Sequence, residues 1–142
     1  MIDAIPRDKT ARPFRVLLAE AGAHVRECME EMLQAQDFEV VNADDGFEVL
    51  CRLPEWRPDL LLIASELPRL SGTQVCSLIR QCPDFSSLPV ILMGKEHSLL
   101  DQAQADMAGA NGCLPLPFRM DEFRQALSVM SQNPAQRNET AA

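Results

Sequence analysis

The chain has 142 residues, of which 46% are hydrophobic and 24% are charged, and its formal net charge is −8 at pH 7. This length suits one domain of common size, and the composition is that of a soluble globular protein. The acidic balance argues against binding to nucleic acid or to an anionic membrane surface, because both partners require a clustered cationic surface.

Neither a targeting segment nor a membrane span is predicted. Residues 1–7 lack a basic start followed by an apolar core, so we expect no signal peptide. No apolar run approaches the ~20 residues that a transmembrane helix needs. The cysteines are scattered without a C-x-x-C pair, which predicts buried thiols in a reducing cytoplasm; they are Cys28, Cys51, Cys76, Cys82 and Cys113.

Short apolar runs alternate with helical periodicities along most of the chain. The apolar runs predict strands over residues 14–19, 38–42, 60–63, 90–93 and 112–116. The third run is unbroken, as in a central parallel strand that is buried on both faces. Apolar residues at helical spacing predict helices over residues 25–33, 47–53, 71–82, 98–109 and 123–130.

Helix boundaries are marked by capping and breaking residues. Asp45 and Ser71 can accept hydrogen bonds from free backbone N–H groups and so begin the second and third helices. Pro54 and Pro58 are expected to end the second helix after Leu53, and Pro83 is expected to end the third. Gly109 is a plausible left-handed cap after the fourth helix.

This alternation predicts an α/β fold in which a parallel sheet lies between two layers of helices. The length matches the flavodoxin-like (βα)5 three-layer sandwich with strand order 2-1-3-4-5. We expect a flexible lead over residues 1–13, one domain over residues 14–131 and a disordered tail over residues 132–142. In such sheets the ligand crevice lies beyond the carboxyl ends of the strands, where Ala64 and Ser65 follow the third strand.

From about residue 14 to residue 130 the chain resembles a response-regulator receiver (CheY-like) domain. The motifs that carry the resemblance are Val16-Leu17-Leu18, Asp45-Gly46, Pro58-Asp59-Leu60, Leu67-Pro68-Arg69-Leu70-Ser71-Gly72, Pro89-Val90-Ile91, Ala108-Gly109-Ala110 and Pro117-Phe118. The resemblance implies phosphorylation of an aspartate after the third strand, supported by Mg²⁺ at an acidic pair, a hydroxyl and a lysine. This chemistry needs a carboxylate to attack phosphorus and a hard cation to neutralise the phosphoryl charge.

At the positions that the resemblance assigns to this chemistry, the chain carries other residues. The phosphoacceptor position falls on Ala64, which has no nucleophile. The acidic pair falls on Glu20 and Ala21, and the hydroxyl position falls on Gly94. The position of the switching aromatic falls on Cys113, and that of the lysine falls on Leu116. We therefore predict a degenerate site with no catalytic residue, no metal and no cofactor, because Mg²⁺ needs near-octahedral oxygen ligands.

Two neighbours of Ala64 carry groups that could replace the missing aspartate. Side chains alternate across a strand, so the hydroxyl of Ser65 is expected to face away from the crevice. Glu66 is two residues after Ala64, so its side chain would point to the same face if the strand continued. It lies beyond the strand end, however, and would need an unusual loop path to fill the pocket. The resemblance also implies a cis peptide bond between Leu116 and Pro117.

Other chemistries lack their sequence signals. His24 and His97 are isolated from each other and from any cysteine spacing, which disfavours a zinc site. No glycine-rich phosphate loop follows a strand, and the loops lack the aromatic or Ser/Thr-rich cradle of a flavin site.

The sequence therefore predicts a pseudo-receiver, a non-enzymatic cytoplasmic adaptor that binds a protein partner independently of phosphorylation. Several motifs look most like single-domain receivers of twitching-motility (type IV pilus) chemosensory systems. The resemblance implies a partner face on the fourth helix, fifth strand and fifth helix, with candidates Leu99, Met107, Arg119, Met120 and Arg124. The chain is expected to be a monomer or a weak homodimer through the same face. The alternatives are a small-molecule sensor that uses the emptied crevice and a phosphotransfer component with a non-standard acceptor.

Overall fold

A computed structural model describes residues 13–94, 99–116 and 118–132 of the chain. The predicted lead up to residue 12, the tail after residue 132, His97 and the bond before Pro117 lie outside these ranges. The elements are β1 Arg15–Ala19, α1 Ala23–Gln34, β2 Glu39–Ala43, α2 Gly46–Trp56, β3 Leu60–Ala64, α3 Gly72–Arg80, β4 Val90–Gly94, α4 Leu99–Ala108, β5 Gly112–Pro115 and α5 Met120–Gln132.

The five strands form one parallel sheet in the order β2-β1-β3-β4-β5. This arrangement confirms the predicted flavodoxin-like fold. No helix in the described part of the chain is long and apolar enough to cross a bilayer.

The central strand β3 divides its side chains between two cores, one on each face of the sheet. Leu60, Leu62 and Ala64 pack with side chains of α1 and α5, whereas Leu61 and Ile63 pack with side chains of α2 and α3. All five residues of β3 are buried, as the unbroken apolar run predicted. The core between the sheet and α1 and α5 is tied together by a chain of ring contacts that joins Phe14, Phe38, Phe123 and Phe118.

The caps of α3 and α4 follow the sequence prediction. The hydroxyl of Ser71 accepts a hydrogen bond from the Gln74 backbone N–H, and the Gln74 side chain accepts one from the Ser71 N–H. This reciprocal capping box satisfies two backbone donors at the start of α3. Gly109 has φ +93° after the end of α4, the left-handed conformation that glycine adopts without steric cost.

The predicted end of α2 at Leu53 is wrong, because the helix continues through Pro54 to Trp56, two residues before Pro58. Pro54 removes one backbone donor, but groups outside the helix hold its last turn. The guanidinium of Arg15 lies 5.1 Å from the centre of the Trp56 ring and also donates to the Trp56 carbonyl. Arg57 then closes the helix with φ 51° and an N–H that donates to the Leu53 carbonyl at 2.9 Å.

The expectation of five buried thiols is also wrong. Cys76 is buried and Cys113 is half-buried, but Cys28, Cys51 and Cys82 are exposed, and all five are free thiols. Cys28 and Cys51 lie beside the buried stripes of their helices rather than on them. Cys82 follows the end of α3, so the helical periodicity that placed it on the apolar face does not extend that far. Burial raises the pKa of the Cys76 thiol, which favours its neutral form.

The loop between β3 and α3 is tied to the first turn of α2. Gly46 donates its N–H to the Pro68 carbonyl, and a Cβ on Gly46 would lie 2.3 Å from the Leu70 carbonyl oxygen. Arg69 has φ 71°, and its side chain donates from Nε to Asp45 Oδ2 at 3.0 Å while the guanidinium lies 5.0 Å from the Phe47 ring centre. The Glu48 N–H that Asp45 caps, followed by the Arg69 guanidinium, holds the pKa of the Asp45 carboxyl below its ordinary value.

Arg80 connects the end of α3 to the chain on either side of β4. Its Nε donates to the Gly109 carbonyl at 2.8 Å, and one terminal nitrogen donates to the Asn111 side chain at 2.9 Å. The other terminal nitrogen donates to the carbonyls of Phe85 and Ser86. One guanidinium therefore satisfies backbone carbonyls in two loops, the one between α3 and β4 and the one between α4 and β5.

We expect the Arg80→Ala substitution to lower the free energy of unfolding by about 2 kcal/mol, because it leaves several half-buried acceptors without a donor. Arg52→Ala is the matched control, since Arg52 is a half-exposed arginine of α2 that pairs only with Glu48, one turn earlier on its own helix, among the described contacts. Its expected cost is about 0.5 kcal/mol or less. Denaturant unfolding measures both values, and equal costs would contradict the role assigned to Arg80.

The contribution of Asp45 to stability should depend on pH. Because its pKa is lower in the folded chain than in the unfolded chain, the contribution is fully present above the unfolded value near pH 4 and is lost as the pH falls through the folded pKa. Asp45→Asn keeps the helix cap but removes the charge. The stability difference between wild type and Asp45→Asn, measured by denaturant unfolding, should therefore shrink below pH 4.

Candidate functional site

The carboxyl ends of the strands meet at one crevice, as the strand order predicted. Ala19 is level with Ile63, Ala64 is level with Met93, and Gly94 is level with Pro115. The crevice has a volume of about 630 Å³, and the residues that line it are Glu20, Ala64, Ser65, Glu66, Thr73, Leu92, Met93, Gly94, Gln104, Ala105, Cys113, Leu114 and Leu116.

The turn after β3 fixes Ala64 in the floor of this crevice. Gly72 donates its N–H to the Ser65 carbonyl at 2.9 Å, and Ser65 donates its N–H to the Met93 carbonyl at 2.7 Å. A Cβ on Gly72 would lie 2.2 Å from the Ala64 carbonyl oxygen, so the start of α3 packs directly against the end of β3. Ala64 is only 4% exposed, and its methyl group belongs to the core that includes Met93 and Leu114.

Ser65 lies in the bend that follows β3 rather than in the strand itself. The alternation of side chains across a strand therefore does not apply to it, and the expectation that it faces away from the crevice loses its basis. Both Ser65 and the exposed Glu66 line the crevice. The backbone of Ser65 is committed to the turn through its N–H and its carbonyl.

Glu20 is the one acidic residue that β1 delivers to the crevice. Its Oε2 accepts the Gly22 N–H at 2.9 Å, whereas its Oε1 is buried and has no hydrogen-bond partner among the described residues. Ala21 is exposed and does not line the crevice. Arg26 pairs instead with Asp44, at 2.6 Å, and donates to the backbone carbonyl of Glu20.

The other predicted positions also meet at the crevice. Gly94 ends β4 and accepts the Leu116 N–H at 2.8 Å, which joins the ends of β4 and β5. Leu116 is half-buried and packs against the core between the sheet and α1 and α5, and half-buried Cys113 packs against the opposite core. Sequence reasoning missed Thr73 and Gln104, because their approach to the crevice depends on how α3 and α4 pack.

These residues do not fit Mg²⁺. The ion requires near-octahedral oxygen ligands and usually one or two carboxylates together with phosphate oxygens. Glu20 contributes one carboxylate whose Oε2 is already engaged, and the other carboxylate at the crevice, Glu66, is exposed in the loop after β3. The positions assigned to the phosphoacceptor, the hydroxyl and the lysine present a methyl group, a glycine and a leucine. Within residues 13–94, 99–116 and 118–132, no three His, Cys, Asp or Glu residues are grouped closely enough to hold a metal ion.

The candidate partner face is only partly apolar. Met107 on α4 is 88% exposed, whereas Met120 is half-buried and packs against the core. Arg119 pairs with Asp121 at 3.2 Å, and Arg124 donates to the Gln36 side chain at 3.3 Å. The side chain of Leu99 lies outside the described residues.

Comparisons with known proteins agree with the geometry. The sequence profile described as "Response regulator receiver domain" matches residues 16–128. Protein PilG of Pseudomonas aeruginosa is 29% identical over 116 residues, which cover 82% of this chain and 86% of PilG. Response regulator MprA of a Mycobacterium species is 32% identical over 111 residues, but this chain spans only 47% of MprA.

A solved structure shows the same fold. The crystal structure of a putative response regulator from Chloroflexus aurantiacus superposes with a TM-score of 0.80 and 26% identity, over 86% of this chain and 100% of that chain. The sequence match, the strand order and the superposition agree. The chain therefore belongs to the response regulator receiver domain family and is a receiver domain of signal transduction with a CheY-like fold.

Proposed function

We propose that the chain is a pseudo-receiver that signals through protein–protein binding, independently of phosphorylation. The observation that carries the proposal is the buried methyl group of Ala64 at the position of the phosphoacceptor aspartate. A methyl group cannot attack phosphorus. The residues at the other positions of the site supply neither a hydroxyl nor a lysine that could grip a phosphoryl group.

Such a domain needs another source of regulation. A ligand shifts a conformational equilibrium only as far as its affinity differs between the two states. Without a phosphoryl group, the conformation must be selected by a partner protein that binds one of the two states more tightly than the other. If no partner does so, the domain acts constitutively. We assign it an adaptor role rather than an enzymatic one.

We place the partner surface on α4, β5 and α5, where Met107 is the most exposed large apolar side chain of the described residues. An exposed, flexible methionine suits an adaptable interface. The same face is our candidate for a weak homodimer. Similarity to PilG over most of its length supports a role in type IV pilus twitching motility or chemosensory control, which would place the domain in the cytoplasm.

A second candidate function is the sensing of a small molecule in the crevice. Its volume of about 630 Å³ falls within the ~300–1,000 Å³ of typical ligand pockets. A ligand that fitted one conformation better than another would supply the missing switch.

The first experiment tests phosphorylation independence. Amide spectra recorded with Mg²⁺ and beryllofluoride, a phosphoryl mimic, should show no shifts clustered around Glu20, Ala64 and Gly94. Ala64→Asp should also fail to bind Mg²⁺ tightly and should change stability by between zero and about −3 kcal/mol, because it buries a carboxylate. Clustered shifts in the wild type would overturn the proposal, and they would favour a non-standard acceptor such as Ser65 or Glu66. Tight Mg²⁺ binding by the variant would refute the assigned loss of the metal site.

The second experiment tests the partner face. Capture from a native lysate should retain the same protein with the wild type and with Leu78→Asp, but should lose it with Met107→Asp. Leu78 is the matched control, because it is also an exposed large apolar residue, 44% exposed, but lies on α3. Unchanged capture by Met107→Asp, or equal loss by both variants, would argue against the α4-β5-α5 face.

A further inference from the structure

One side of α2 exposes apolar side chains to water. Phe47 is 50% exposed, and Cys51 and Pro54, which follow it along the helix, are exposed as well. Residues at these spacings lie on one side of a helix, so the three side chains form a continuous stripe. Leu50 borders the stripe and is half-buried against the core between the sheet and α2 and α3.

The neighbouring helix α3 widens this stripe into a surface formed by two helices. The start of α2 touches α3, because a Cβ on Gly46 would lie 2.8 Å from Val75 Cγ2. Leu78 lies one turn after Val75 on the same side of α3 and is 44% exposed. Arg80 lies on the opposite side of α3, where it donates to the Gly109 carbonyl after α4. The exposed apolar side chains therefore form one α2-α3 surface, which consists of Phe47, Cys51, Pro54 and Leu78.

A pair of opposite charges lies at each end of the α2-α3 surface. At the start of α2, Arg69 Nε lies 3.0 Å from Asp45 Oδ2. After the end of α2, a terminal nitrogen of Arg57 lies 3.9 Å from Asp84 Oδ2. The side chains of Arg69, Arg57 and Asp84 are all more than half exposed, so a docked protein can reach them.

The charge balance around this surface favours a second copy of the chain as its occupant. The chain has a formal net charge of −8, so two copies repel each other least where positive and negative groups alternate. Arg52 also pairs with Glu48, at 3.1 Å, and Glu55 adds one further carboxylate to the border of α2. Three arginines thus stand beside four carboxylates around an apolar centre, which removes most of the local repulsion.

The charges at the two ends also complement each other under two-fold symmetry. Identical surfaces on two copies meet in a two-fold dimer. If the two α2 helices run antiparallel, Arg69 of one copy comes to the end where Asp84 of the other copy lies, so that opposite charges face each other. If the helices run parallel, Arg69 faces its own equivalent. The antiparallel arrangement is therefore favoured, and it brings the two copies of Cys51, the central residue of α2, together where the helices cross.

We propose that a second copy of the chain docks on the α2-α3 surface and forms a weak two-fold dimer with antiparallel α2 helices. Because α2 is about 16 Å long and packed helices lie about 10 Å apart, this surface is well below the ~800 Å² per partner of a stable complex. The dissociation constant should therefore be on the order of 0.1–1 mM. The dimer does not rest on the pseudo-receiver proposal, and it leaves the α4-β5-α5 face open to a partner protein.

Sedimentation equilibrium of the reduced full chain, at concentrations below and above this constant, measures the dimer. Leu78→Asp should weaken the dimer about tenfold or more, because the contact would bury a carboxylate. Met107→Asp is the matched control, since Met107 is also exposed but lies on α4, and it should leave the dimer unchanged. A monomer at every concentration overturns the proposal and leaves the surface to a different occupant. Any result in which Leu78→Asp does not weaken the dimer more than Met107→Asp also overturns it.

A thiol crosslink tests the same dimer without a disruptive substitution. A short bismaleimide added to the reduced wild type should join two chains through Cys51. Cys51→Ser should abolish this covalent dimer, whereas Cys28→Ser should keep it, because Cys28 is also exposed but lies on α1, on the opposite face of the sheet. Equal yields of covalent dimer from the two variants would contradict the antiparallel arrangement.

The dimer and the adaptor proposal fail separately. Leu78→Asp should lose the dimer and keep the protein that is captured from the lysate, and Met107→Asp should give the reverse result. Absence of the dimer leaves the adaptor proposal standing, because the Mg²⁺ and beryllofluoride spectra test that proposal on their own.

Discussion

The contact between the start of α3 and the end of β3 sets the geometry on which the crevice depends. Gly72 lies so close to the Ala64 carbonyl that no side chain fits between them, and its N–H also holds the Ser65 carbonyl. Ser65 in turn is bonded to β4 through the Met93 carbonyl. This turn and the parallel register bring the ends of β1, β3 and β4 to one level, which is why a crevice exists whether or not its residues are reactive.

The crevice forms although β3 ends in alanine, so the receiver fold does not depend on a carboxylate at that position. Two unit charges of the same sign ~4 Å apart repel by about 4 kcal/mol at an effective dielectric constant of 20, so a cluster of carboxylates destabilises a fold until a cation binds. This chain avoids that repulsion, because β3 ends in a methyl group that packs in the core. Of the acidic positions that the receiver chemistry uses, this chain keeps Glu20, whose Oε2 accepts the Gly22 N–H.

Much of the fold was readable from local patterns, and the errors share one cause. The apolar run of β3, the cap at Ser71 and the glycine after α4 are local signals, and the structure follows them. The prediction that α2 ends before Pro54 was wrong because Arg15, which is distant in the sequence, contacts Trp56 in the last turn of the helix. The prediction of five buried thiols was wrong because helical periodicity places a residue on a helix face only to within a neighbouring position. Tertiary packing decides which thiols are exposed to water.

The sequence alone determined the parallel α/β fold and the receiver family resemblance, since both depend on residue identity and on spacing along the chain. It also places alanine at the position that the resemblance assigns to the phosphoacceptor. Only the tertiary structure decided that Ser65 leaves the strand and lines the crevice, that Ala21 stays outside it, and that Glu20 keeps an oxygen without a donor. The reason is physical. The burial of a side chain and its hydrogen-bond partners depend on contacts between segments that are remote in the sequence, and no local pattern records them.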